Sequence, residues 1–312
     1  MILTVTMNPS IDMSYPVDHL KIDDVNRVTD VRKTAGGKGL NVTRVIHQLG
    51  KSVVATGIIG GYFGKFIEAR LDDDKIKHDF FRINQETRNS IAILHDDGKQ
   101  TEILEPGPQI NTEQSQSFLQ YYQSLLKNCS LITMSGSLPR GLNDDFYSQM
   151  IKITHMNSTK VLLDTSGAAL KAALLNDDKP NLIKPNEEEL QQLINKNIDI
   201  SDLDQLKLAL SNSIFDGIEW ICVSLGGAGA FAKHFNQFYQ IKIPKISVIN
   251  PVGSGDSTLA GLAVSIEENR NDIDILKTAM TTGMLNTMEK QTGFINPDLF
   301  DEYFEKVQVN KR

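Results

Sequence analysis

Short apolar runs recur along the chain, ILTVTM, SVVATGIIG, LITMSG, KVLLDTS, NLIKPN and WICVSLG, with longer stretches of helical period between them. LNVTRVIHQLG places Leu40, Val42, Val45, Ile46 and Leu49 mostly on one side and ends at Gly50, a C-terminal cap signal. GKFIEARLDDDKI, TEQSQSFLQYYQSLLKN, EELQQLINK and DLDQLKLALSNS read the same way. Strands that alternate with helices pair in parallel through right-handed crossovers, and the sheet is covered on both faces. The expected fold is therefore α/β, a three-layer αβα domain with a mostly parallel sheet. Ligands of such sheets bind beyond the carboxyl ends of the strands. Most Gly, Asn, Asp and Ser clusters of this chain fall there, directly after an apolar run.

Two segments break the alternation. TRNSIAILHDDGKQTEILEP (87–106) reads as two strands joined at Asp97-Gly98, a hairpin signal, and residues 11–35 alternate apolar and polar without helical period. They predict a small β-sheet lid made of 11–35 and 87–106, standing off a main domain of 1–10, 36–86 and 107–312. A sheet of two to four strands with little core is marginal alone. It needs the main domain, or a second copy of itself, against its face.

The formal net charge of −7 over 312 residues argues against nucleic acid as a partner, which calls for a basic surface. An acidic chain that handles anionic substrates must concentrate its positive groups in one site. Cys129 and Cys222 sit inside apolar stretches and read as buried free thiols of a reducing compartment. MILTVTMNPS reads as a first strand and not a signal peptide, and no stretch approaches the ~20 apolar residues a membrane span needs. A soluble cytoplasmic protein with no membrane partner is expected.

Three glycine-rich turns follow apolar runs. In INPVGSGDSTLAGLAVSIEE (249–268), Leu259, Leu262, Ala263 and Ile266 recur at helical spacing, so Gly253, Ser254 and Gly255 form the turn into a helix with one apolar face. The leading amides of that helix are free to hold an anion. Asp256 either caps the helix, as Asp commonly does, or takes a proton beside that anion. TAGGKGLNVTRVIHQLG (34–50) is a second such turn, either plain or gripping a polyhydroxylated ligand through Lys38 and Asn41. SLGGAGA (224–230) is the third, either a tight βα turn or a close approach for a nucleotide phosphate. In NLIKPNEEEL (181–190), Asn186 and Glu189 lie about one turn apart, either complementing a helix dipole or holding water on Mg²⁺. Arg88, at the hinge of the lid, has the planar fork for paired bonds to phosphate. Walker A, dinucleotide G-x-G-x-x-G, G-x-S-x-G and zinc-ligand patterns are absent from the sequence.

Together these segments resemble the ribokinase-like (PfkB) carbohydrate kinases along nearly the whole chain. GGKGLNVTRVIHQLG is similar to that family's amino-terminal signature and NPVGSGDSTLAG to its carboxy-terminal one, with DTSG (164–167), KPNEEEL and SLGGAGA between them in family order. VTMNPSIDMSY, DDVNRV, ETRNSIAI and TEILEPGP resemble the phosphosugar branch, which holds 1-phosphofructokinases and tagatose-6-phosphate kinases. The resemblance implies ATP and Mg²⁺ as cofactors and D-tagatose 6-phosphate as acceptor, giving the 1,6-bisphosphate, with the 1-phosphofructokinase reaction as the alternative. It implies Asp256 as catalytic base and the amides of Gly253, Ser254 and Gly255 as anion hole. Asp12, Gly36, Gly37, Lys38 and Asn41 would hold the sugar, with Arg88 and Ser137 at its phosphate and Arg27 reaching in from the lid, either of the same chain or of a partner subunit. Lys184, Asn186 and Glu189 would lie near the ATP phosphates and the metal, with Ser224, Gly226, Gly227 and Gly229 along the nucleotide and Asn286 at the adenine. The family's lid commonly dimerises, so a homodimer through the β lid is expected. Lys38 also occurs in members acting on unphosphorylated sugars, so it does not by itself mark a phosphosugar enzyme. A non-catalytic sugar-phosphate sensor that kept the fold is the reading from a different class.

Overall fold

The apolar runs form strands because both of their faces are covered. In β1 (Ile2–Thr6) Leu3 and Val5 enter one core layer and Ile2 the other. The same split recurs in β9 (Leu131–Ser135) and β10 (Lys160–Asp164), where Ile132, Met134, Val161 and Leu163 face one way and Leu131 and Leu162 the other. Each such side chain contributes about 1.5–3 kcal/mol on leaving water. The computed structural model describes every residue from Met1 to Arg312 except Asp97.

Between these strands lie β2 (Ser10–Pro16), β3 (Arg32–Gly36), α1 (Lys38–Gln48), β4 (Val53–Gly60), α2 (Gly61–Asp73), β5 (Lys77–His78) and β6 (Phe81–Ile83). Then come β7 (Arg88–His95), β8 (Lys99–Leu104), α3 (Thr112–Leu125) and α4 (Phe146–Met156), the last just before β10. After β10 follow α5 (Gly167–Leu175), β11 (Leu182–Ile183), α6 (Glu187–Ile194), α7 (Leu203–Leu210), β12 (Trp220–Ser224), β13 (Ala230–His234) and β14 (Gln237–Lys242). The chain finishes with α8 (Ser254–Glu267), α9 (Asp272–Thr287), α10 (Phe300–Lys306) and β15 (Gln308–Lys311).

The main sheet runs β15-β14-β13-β12-β11-β10-β9-β1-β4-β5, with β6 also paired to β4. It is parallel from β12 to the β5 and β6 edge and antiparallel across β13, β14 and β15. Helices α3 to α7 cover one face; α1, α8, α9 and α10 cover the other. This is the mixed α/β architecture the alternation predicts. No helix among the described residues is long and apolar enough to cross a membrane.

A second sheet has the order β3-β2-β7-β8. β7 and β8 pair antiparallel, while β2 and β7 pair parallel, Ser10 against Arg88. Of the Asp97-Gly98 turn signal, Asp97 lies outside the described residues.

Two expectations fail in an instructive way. α8 is buried all round from Asp256 to Ser265, not on one face alone, because it is wedged between the sheet, α1 and α9. Its buried hydroxyls find partners nearby: Thr258 donates to the Ser254 carbonyl at 2.8 Å and Ser257 to Asn286 Oδ1 at 3.0 Å. The turn at Gly226–Gly229 is not a βα turn, since it joins β12 to the antiparallel β13.

Candidate active site

The parallel strands end on one edge, and their last residues meet there: Thr6, Ser135, Asp164, Ile183 followed by Lys184, and Ser224. A cavity of about 440 Å³ opens above them, lined among others by Asp12, Lys38, Asn41, Arg88, Asp164, Lys184, Asn186, Glu189, Ser224, the Gly253–Gly255 turn and Asp256. Ser10, Asp12, Arg88, Ser90 and Leu104 of the small sheet form one wall of it. A recess of about 200 Å³ adjoins it, sharing Gly37, Lys38 and Arg88 and adding Ser137, Thr165 and Ser166. A larger depression of about 660 Å³, at Met1, Asp72, Lys75 and His78, lies on the far edge of the sheet, where no glycine-rich turn reaches it.

Asp256 is in the first turn of α8 but does not cap it. The N-cap is Gly253, at φ 83°, and it makes no side-chain capping bond. Only glycine adopts that backbone cheaply, and a β-carbon there would sit 2.5 Å from the Thr292 methyl. Asp256 is 6 % exposed and accepts a hydrogen bond from Asn41 Nδ2 at 2.7 Å through its Oδ2. Burial foremost, then the nearby Asp164 charge, pushes its carboxyl up to about 6, against the pull of Lys38, Asn41 and Lys184. A carboxylate poised near neutral pH is suited to accept a proton.

Around it, the positive groups that an acidic chain must gather are Lys38, Arg88 and Lys184. Lys184 is 6 % exposed and pairs with Asp164 Oδ2 at 3.5 Å. Its Nζ lies over the glycine turn, 3.1 Å from where a β-carbon on Gly255 would be. Lys38 reaches into the open cavity, and the charge of Asp164 foremost, then of Asp256 and Glu189, holds its pKa above the ordinary lysine value. Arg88 is half-buried at the start of β7, its Nε donating to the Asn8 carbonyl at 3.2 Å and its Nη1 to the Glu105 carbonyl at 3.3 Å. On the same wall Asp12 accepts from Ser10 Oγ at 2.6 Å. Gly36 is glycine because a β-carbon would fall 2.0 Å from the Asp12 carboxyl carbon. Burial raises the pKa of Asp12.

Asn186 and Glu189 form a reciprocal cap on α6: Asn186 Oδ1 accepts from the Glu189 amide at 2.8 Å and Glu189 Oε2 from the Asn186 amide at 2.9 Å. Glu189 keeps its other oxygen for the cavity. Among the expected residues, Asn286, Arg27, Gly226, Gly227 and Gly229 do not line this cavity. Asn286 is wholly buried; its Oδ1 accepts from Ser257 and the Gly293 amide, and its Nδ2 donates to the Val252 carbonyl at 2.9 Å. It clasps the glycine turn from beneath and offers nothing to an adenine. Arg27 is exposed and does not line the cavity. Gly229 turns the chain at φ 95° where Ile241 leaves no room for a side chain, while Gly226 and Gly227 are exposed beyond Ser224 and outside the cavity lining.

A model of the pfkB family carbohydrate kinases matches residues 5–299. The chain belongs to the pfkB family. Solved structures agree. A Staphylococcus aureus protein provisionally described as a phosphofructokinase is 30% identical, with 100% of this chain and 99% of that one covered at a TM-score of 0.86. Escherichia coli phosphofructokinase-2, solved with substrates and products, is 25% identical over 97% of this chain and 98% of that one at 0.88. A possible 1-phosphofructokinase of Thermotoga maritima, 23% identical over 100% and 99%, shares the fold at 0.87. This pfkB member is thus a phosphofructokinase-like sugar kinase, a phosphotransferase with an alcohol acceptor, and kinases of the family use ATP and a divalent metal.

Sequence reasoning gave no role to Asp164, Arg44, Thr165 or Ser166. Asp164 carried a signal, a carboxylate closing an apolar run, and DTSG was singled out for its place in the order. Arg44 carried less: a charge on a helix whose other side was expected to be wet, when Gly39 to Ile46 are all buried.

Proposed function

We propose that the chain transfers the γ-phosphoryl group of ATP to the C1 hydroxyl of D-tagatose 6-phosphate, giving the 1,6-bisphosphate and ADP. The observation that carries the reading is the buried Asp256 beside the uncapped amides of α8, with cations on both sides. Phosphoryl transfer needs in-line placement and charge neutralisation more than covalent help. The amides of Gly253 and Gly255 and the ammonium of Lys184 receive the migrating group, donors of a kind worth ~3 kcal/mol each in comparable sites, while the Ser254 amide donates to the Pro251 carbonyl at 3.3 Å. Asp256 Oδ1, the oxygen not held by Asn41, takes the hydroxyl proton. Asp12 orients the sugar hydroxyls across the cavity. The recess at Lys38, Arg88, Ser137 and Ser166 receives the phosphate already on the sugar, with two cations and two hydroxyls to hold it.

Mg²⁺ fits the donors on offer. Asp164 Oδ2 is buried with no hydrogen bond, only the Lys184 ammonium at 3.5 Å, and Glu189 has one oxygen outside its capping bond in the same cavity. Mg²⁺ keeps several of its waters and takes few protein ligands, so two carboxylates and the substrate phosphates suffice. When bound it neutralises phosphate charge. Asn186 serves by fixing Glu189.

The small sheet acts as a lid that excludes water, and it pairs with a second copy of itself. Ile103 on β8 is 54 % exposed, an apolar side chain that a partner sheet would cover. Light scattering on Ile103→Lys against the parent protein tests the pairing.

The second reading is phosphofructokinase activity, favoured by the 30% identical Staphylococcus aureus protein. An ADP-release assay over tagatose 6-phosphate, fructose 6-phosphate, fructose 1-phosphate and unphosphorylated sugars separates the two. Highest kcat/KM on a fructose phosphate sinks the tagatose assignment; absence of turnover on the whole panel favours a sensor.

A further inference from the structure

We infer that Arg44 and Asn41 are positioning residues for the base, a relay in which Arg44 orients the Asn41 amide and Asn41 in turn holds Asp256 by one chosen oxygen. The inference rests on Asp256 acting as base. Arg44 Nη2 donates to Asn41 Oδ1, and Asn41 Nδ2 donates to Asp256 Oδ2 at 2.7 Å. Because a guanidinium only donates, the amide oxygen must face Arg44 and the amide nitrogen must face Asp256. The orientation of Asn41 is therefore dictated by its neighbour. Arg44 is itself locked, 3 % exposed, with Nη1 on the Ala35 carbonyl, Nη2 also 3.4 Å from the Thr292 carbonyl, and Phe294 beside its guanidinium. Gly293 leaves room for it: a β-carbon there would lie 3.1 Å from Nη2 and 2.9 Å from the Asn41 Cα.

Two consequences follow for the reaction. Oδ2 is occupied, so Oδ1 is the oxygen left to meet the acceptor, and the carboxyl plane is fixed before substrate arrives. The Asn41 bond also favours the ionised carboxylate. The other groups that set this charge are Asp164 at the end of β10, Lys38 on α1 and Lys184 after β11. Asp164 opposes ionisation; the two lysines support it. Removing the relay while leaving these in place makes Asp256 harder to ionise.

The test is the pH dependence of kcat. Asn41→Ala deletes the donor to the base, and Arg44→Gln keeps a donor to Asn41 without the charge. The acid limb of kcat should move up by about one pH unit in Asn41→Ala, the size expected for one lost charge-assisted hydrogen bond. Arg44→Gln should move it by less, with the KM for ATP within about twofold in both variants. A merely structural role lowers activity evenly at every pH. An unmoved limb in Asn41→Ala overturns the relay, and that variant decides the matter even if Arg44→Gln does not fold. Asp256→Asn separates the layers: if it still turns over, the base reading fails; if it is dead while the Asn41→Ala limb stays put, only the relay fails.

Discussion

Replacing Asp256 with Asn removes a charge the folded protein holds at a cost. Burial and the nearby Asp164 charge push its carboxyl up to about 6 from an ordinary 3.8. A raised carboxyl pKa destabilises the fold wherever the unfolded chain has lost its proton and the native one has to follow. Below 3.8 both states are protonated and nothing is lost; between 3.8 and 6 the penalty grows; above 6 it is constant at about 3 kcal/mol. Asn is neutral and still presents an oxygen to Asn41 Nδ2. Asp256→Asn should therefore be more stable than the parent by up to about 3 kcal/mol at pH 8, with the gain falling to about 1 kcal/mol at pH 4.5. Over the same range kcat should fall roughly 10²- to 10⁴-fold, the contribution of a general base. Urea denaturation at the two pH values and ADP release at pH 8 read both effects on one variant. Turnover within tenfold of the parent, or a stability gain indifferent to pH, would refute the reasoning.

Arg88→Ala should raise the KM for the sugar phosphate roughly 10- to 100-fold, the loss of one charged hydrogen-bonding group, with the KM for ATP within about twofold; equal losses count against the recess as the phosphate site. Lys184→Met leaves Asp164 buried without its cation, so urea denaturation should register a loss of about 3 kcal/mol and steady-state kinetics a lower kcat/KM for ATP. Gly36→Ala drives a methyl into the Asp12 carboxylate and should weaken sugar binding measured by calorimetry while ATP binding holds. Metal chelation should abolish turnover and added Mg²⁺ restore it, with circular dichroism unchanged throughout.

The chain order of strands and helices, the glycine turns and the place of Asp256 after one of them were all legible, because periodicity and turn chemistry are local. The β7–β8 hairpin was legible for the same reason. The parallel pairing of β2 with β7 was not, since it joins residues some 80 positions apart, Ser10 with Arg88. Nor was the all-round burial of α1 and α8: their serines, threonines and Arg44 read as a wet face, and only the neighbouring helices turn that face inward. The partners of Asn286 were not legible either, since its neighbours in sequence do not reveal that its side chain bonds Ser257, Val252 and Gly293. The residues themselves determined that a carboxylate would follow free helix amides. Tertiary structure alone decided that Asp256 would be buried, that the charge of Asp164 would act on it and that Asn41 would reach it across 215 positions, and these govern when it carries charge. Charge and hydrogen bonding act through space, where the order of residues along the chain has no direct say.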